Sequence, residues 1–128
     1  MNQDQAFDIM TMGYNIFLTG EAGSGKTYLV NRYMEYCREH SIMTAITAST
    51  GIAATHISGV TIHSWSGMGI RDTLTDEDIE VIRSREYLMK RFAKTQVLVI
   101  DEVSLLSGAF LASLDRLLRL ARVTDLPF

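Results

Sequence analysis

Apolar residues recur along this chain with two different periods, and the period changes where glycine, serine and threonine cluster. Between Lys26 and Glu39, Leu29, Val30, Tyr33, Met34 and Cys37 fall three and four positions apart, with Asn31, Arg32, Glu35 and Arg38 between them. That spacing predicts an amphipathic helix. The same period puts Phe110, Leu111, Leu114, Leu117, Leu118 and Ala121 on one face of a last helix, about Ser107 to Arg122. On its other face Asp115 and Arg119 stand four apart and can pair. Residues 4–12 predict a further short helix. Shorter apolar runs predict strands at Asn15–Thr19, Ile42–Thr47 and Gln96–Asp101, the first buried and the last buried on both faces. Strand, helix, strand in this order is the βαβ crossover of a parallel sheet. Residues 48–70, rich in Gly, Ser, Thr and His, predict short helical pieces near Ile52–His56 and Thr61–Trp65. The stretch is too long to be a plain connection. Thr75–Lys94 carries charges of both signs and predicts a solvated helical region.

Composition narrows the class. The chain has 128 residues, 47% hydrophobic and 21% charged, which supports one folded core and not two full domains. Its net charge of −3 supplies no global basic field, so any contact with nucleic acid must be local. The single cysteine, Cys37, excludes an internal disulfide and a Cys-rich metal centre, and its place on the helix stripe predicts a buried thiol. No apolar stretch approaches the roughly 18 residues that span a bilayer, and residues 1–5 lack the regions of a signal peptide. A cytoplasmic location is expected, or nuclear or mitochondrial in a eukaryote.

The chemistry begins directly after the first expected strand. Gly20, Glu21, Ala22, Gly23, Ser24, Gly25, Lys26 and Thr27 form a phosphate-binding loop in the expected strand-before, helix-after context. Glycines at 20, 23 and 25 let the backbone turn so that successive N–H groups converge on one anion. Lys26 reaches the β- and γ-phosphates of ATP, and Thr27 can ligate Mg²⁺. A chance Gly-rich turn would not be expected to keep the Lys and Thr at these offsets.

The last expected strand runs into Asp101 and Glu102, at the edge where parallel sheets bind ligands. In phosphoryl transfer Asp101 would hold hydrated Mg²⁺, and Glu102 would orient and deprotonate the attacking water. The plain alternative is a strand ending in exposed acids. Between the two motifs, Thr50, Ser58, Thr61 and Ser64 offer hydroxyls, and Gly51 an open N–H, suited to DNA phosphates without reading sequence. Trp65 could stack on a base, although a lone Trp on a short amphipathic helix suits the core as well. His56 and His63 have no acid or Cys at metal-ligand spacing.

Phe17–Trp65 and Val97–Leu106 together resemble the first motor domain of superfamily 1B DNA helicases, the petite-integration-frequency family above all. Ser49-Thr50-Gly51-Ile52-Ala53-Ala54 looks like motif Ia, Thr61-Ile62-His63-Ser64-Trp65 like the following DNA-contacting motif, and Asp101-Glu102-Val103-Ser104-Leu105 like motif II, where the family often has Met at the position of Leu105. The resemblance implies an α/β, RecA-like P-loop NTPase fold with a parallel sheet flanked by helices. It also implies ATP and Mg²⁺ as cofactors, and DNA contacts at Thr50, Gly51, Thr61, His63 and Ser64. Gln5 sits where the family places the glutamine that reads adenine, with Gln3 as the alternative. The activity implied is ATP hydrolysis coupled to translocation on single-stranded DNA.

The sequence departs from the family by stopping before motif III and the second motor domain with its arginine finger. Residues 1–128 are therefore expected to form a partial motor domain, incomplete at its C-terminal end. In the family's fold the absent strand lies between the phosphate-loop strand and the Asp-Glu strand. Weak ATPase, no unwinding, marginal stability and self-association are the expectations. Other readings remain. A clamp-type or AAA-like ATPase would share the loop and the acids without calling for the Thr-Gly-x-Ala-Ala and Thr-Ile-His-Ser segments. A small-molecule kinase would want an arginine-rich lid, whereas Arg83, Arg85 and Arg91 are scattered. A nucleotide-binding segment without turnover is the third.

Overall fold

A computed structural model describes residues 1–21, 25–124 and 126–128, which fall into two compact units, Met1–Met43 and Thr44–Phe128. The first unit holds α1 (Gln3–Met10) and α2 (Lys26–Glu39). A capping box starts α1: the Gln5 N–H donates to Asn2 Oδ1 at 2.8 Å and Gln5 Oε1 accepts from the Asn2 N–H at 3.0 Å. Arg32 joins the two helices by pairing with Asp4 at 2.8 Å and lying over the Phe7 ring at 4.1 Å, while Phe7 meets Tyr36 edge-on. The expected stripe of α2 buries Leu29, Tyr33 and Cys37.

Residues 15–19 form no strand. Phe17 is 73% exposed and Ile16 42%, and among the described residues no strand pairs with this run. An apolar run becomes a strand only where a neighbour accepts its ladder hydrogen bonds, so the first expected βαβ unit does not form.

The second unit contains a three-stranded parallel sheet in the order β2-β1-β3. Its strands are β1 (Thr44–Ala48), β2 (Val60–Thr61) and β3 (Val97–Asp101). β3 pairs along its whole length with β1, Thr44 opposite Val97 through Ala48 opposite Asp101. All five β3 residues are half-buried, so the strand is not sealed on both faces as its composition suggests; it lies at one side of the sheet and pairs through one edge. β2 escapes the sequence pattern because two residues carry no period. It depends on Gly59, where a Cβ would lie 2.4 Å from the Ile46 carbonyl oxygen.

Between the strands lie α3 (Gly51–His56) and α4 (Ile62–Ser66), close to the expected helical pieces. The expected helix over residues 75–94 is two helices, α5 (Asp76–Arg83) and α6 (Glu86–Lys94), separated at Ser84-Arg85. Nor are they only solvated surface: Ile79, Ile82, Leu88 and Phe92 are buried and share one core with Ile62, Trp65, Met68 and the inner face of α7 (Gly108–Arg122). The spacing of these apolar positions, three residues in α5 and four in α6, is hidden in the sequence by charges on the outer faces. α7 buries Phe110, Leu114, Leu117 and Leu118 as expected, and Arg119 pairs with Asp115 at 2.8 Å.

Candidate phosphate-loop and strand-edge sites

In the first unit the loop turns into α2 at Gly25, whose φ of +89° lies in the left-handed region. Glycine reaches it without strain, and the position is crowded: a Cβ there would fall 2.1 Å from Gln3 Nε2. Gly25, at the N-cap, supplies no side-chain cap, and Lys26 and Thr27 beside it are exposed. A 14-residue helix that opens in this way presents oriented donors and a positive dipole end to an anion. Lys26 Nζ folds back to donate to the Gly20 carbonyl. Ala22, Gly23 and Ser24 lie outside the described residues. Gln5 is occupied in the α1 capping box, whereas Gln3 Nε2 donates to the Gly25 carbonyl at 3.4 Å. A bond across 22 positions gives no sequence signal.

In the second unit, parallel pairing brings the C-terminal ends of all three strands to one edge. Ala48 is opposite both Thr61 and Asp101, and the Ser49 N–H donates to the Asp101 carbonyl at 3.1 Å. Asp101 is half-buried, and Glu102 is exposed with φ +53° and ψ +42°, a left-handed conformation uncommon for a residue with a side chain. That turn ends the strand abruptly and starts a single 3₁₀ turn, Val103–Leu105. Such local strain is typical of functional sites.

Thr50 and Thr61 stand at the same edge as helix caps. Thr50 Oγ1 accepts from the Ala53 N–H, and Thr61 Oγ1 from the Ser64 N–H, each at 3.2 Å. Both hydroxyls keep their own proton to donate. Gly51 and Ser64 are exposed; the half-buried His63 ring packs 4.8 Å from Phe110. Trp65 is buried against Phe92, with ring centroids 5.1 Å apart, so it is core and not a stacking platform. Ser49, which sequence reasoning left without a role, is 8% exposed, and its Oγ has no hydrogen-bond partner among the described residues. Among those residues no three His, Cys, Asp or Glu side chains group as a metal site, and no helix is long and apolar enough to cross a membrane.

The family model of PIF1-like helicases matches residues 1–128. The chain belongs to the PIF1-like helicase family. It is 49% identical over its whole length to the ATP-dependent DNA helicase Pif1 of Psychrobacter sp., and 41% identical over 119 residues to the ATP-dependent DNA helicase RRM3 of Saccharomyces cerevisiae, 89% of this chain. It spans only 19% and 16% of those relatives. The structure of the Candida albicans Pif1 helicase superposes with a TM-score of 0.90 at 32% identity, over 96% of this chain and 28% of that one. A Bacteroides Pif1 helicase in complex with ADP-AlF3 and single-stranded DNA superposes with a TM-score of 0.80 at 31% identity, over 98% and 28%. The RecA-like α/β fold implied by the sequence motifs is thus the fold of this PIF1-like chain.

Proposed function

We propose that residues 1–128 are the ATP-binding part of a RecA-like motor domain, in a helicase that couples ATP hydrolysis to translocation on single-stranded DNA. The observation that carries this reading is the likeness to a relative solved with ADP-AlF3 and single-stranded DNA, in a chain that has Gly20, Gly25, Lys26, Thr27, Asp101 and Glu102 at the spacing of the two motifs.

The residues present fit the nucleotide: a left-handed glycine that brings no side-chain cap opens the helix, with an exposed lysine beside it. Backbone N–H groups of Gly20–Gly25 and the start of α2 bind the phosphates, and Lys26 adds a point charge. Mg²⁺, when bound with the nucleotide, would neutralise phosphate charge, held by Thr27 directly and by Asp101 through water. Glu102 would accept the proton of the attacking water. Gln5 is placed to read adenine by resemblance; the reach of Gln3 to the loop backbone makes Gln3 the geometric alternative. Thr50, Gly51, Thr61, His63 and Ser64 would position a DNA backbone through neutral donors, without reading its sequence.

The test is made on the longest natural reading frame that carries this segment. Single-stranded DNA should stimulate its ATPase, and Glu102→Gln should keep ATP affinity within a few-fold while lowering turnover by about 10² or more, because the amide keeps shape and loses the base. ATPase indifferent to DNA, or a mutant defective in binding alone, would contradict the proposal.

A further inference from the structure

The carbonyl end of α4 is held by α6. Arg91 Nη1 donates to the Trp65 carbonyl at 2.7 Å and lies 3.5 Å from the Ser64 carbonyl. A helix leaves its last carbonyls without intrahelical partners, and here the Gly69 N–H turns back to His63 instead, so the guanidinium supplies the missing donor. The Tyr87 ring lies 5.7 Å from the same guanidinium. Two further contacts make the grip specific. Phe92 packs on Trp65, and Gly67 closes α4 in a left-handed conformation so near Leu88 that a Cβ would meet Leu88 Cδ1 at 2.6 Å. Together they fix both the rotation and the height of a five-residue helix too short to hold itself.

We propose that Arg91 is a positioning residue for single-strand binding, holding Thr61, His63 and Ser64 in the register that contacts the DNA backbone. The inference rests on the proposed reading of those three as DNA contacts. Arg91 acts through α4 and touches no phosphate itself.

The experiment measures binding of a labelled oligo-dT to the 128-residue chain by anisotropy across a salt series, for wild type, Arg91→Ala, Arg91→Lys and Ser64→Ala. Trp65, the only tryptophan, reports α4 by its emission. Ser64→Ala should weaken binding. Arg91→Ala should weaken it by about fivefold, the loss expected when a neutral hydrogen bond to phosphate is disturbed. It should shift Trp65 emission and leave the salt slope at the wild-type value, while Arg91→Lys recovers part of the affinity. A slope shallower by about 0.7 would mean that Arg91 neutralises a phosphate, and would overturn the positioning role. Ser64→Ala weakened beside a fully binding Arg91→Ala would overturn this inference alone. An unaffected Ser64→Ala would remove the reading beneath it. Should Arg91→Ala fail to fold, Arg91→Lys decides: wild-type affinity with shifted emission would overturn the proposal.

Discussion

Gly25 carries more constraint than its motif position alone conveys. Its backbone is left-handed, and the space where a side chain would stand holds the Gln3 amide. Gly25→Ala should therefore lower the affinity for nucleotide and cost about 1–2 kcal/mol in backbone strain, before any displacement of Gln3. Isothermal titration with ATP and a urea melt would measure both; an alanine variant that binds and melts like wild type would contradict the geometry. At this scale the sequence was legible in the start of α2 after Gly25 and in the place of Asp101-Glu102 at the end of β3. It offered Gln3 only as an alternative adenine reader and gave Arg91 no role, because their contacts span 22 and 26 positions and leave no period to read.

Helices announced themselves through periodicity, and α2 and α7 lie within a residue of their expected bounds. Strands did so only when partnered: Thr44–Ala48 and Val97–Asp101 pair, whereas the equally apolar Asn15–Thr19 does not. α5 and α6 were read as surface because their charges are conspicuous, while two buried residues on each, three apart in α5 and four apart in α6, join them to the core. The core face of α2 makes a pH signature. Burial, then a hydrogen bond donated to Cys37, pushes the Tyr33 hydroxyl up to about 12, and burial also raises the Cys37 thiol. Both groups are neutral when protonated, so folding retains their protons to higher pH than the unfolded chain does. Their contribution is whole below the ordinary thiol and phenol values of 9.0 and 10.0 and is lost as pH rises beyond them. The melting temperature should fall from pH 9 upward, and Cys37→Ser should flatten the earlier part of that fall; a melt independent of pH in this range would contradict it.

The candidate residues fall in both units: the α-helical unit carries the proposed phosphate loop, and the parallel-sheet unit carries the proposed acids and the strand-edge hydroxyls. A net charge of −3 and the proposed DNA contacts at Thr50, Gly51, Thr61, His63 and Ser64 predict binding with a shallow salt dependence, far from the steep slopes of proteins that neutralise many phosphates. The claim on which the rest depends is that Gly20–Thr27 binds nucleotide. It is tested most directly by titrating labelled ATP with Mg²⁺ into the wild-type chain and into Lys26→Ala, with circular dichroism recorded on both. Lys26 is exposed and its amine bonds only a loop carbonyl among the described residues, so the substitution should leave the fold intact and abolish binding. Equal affinities in two proteins with matched spectra would contradict the assignment of the loop.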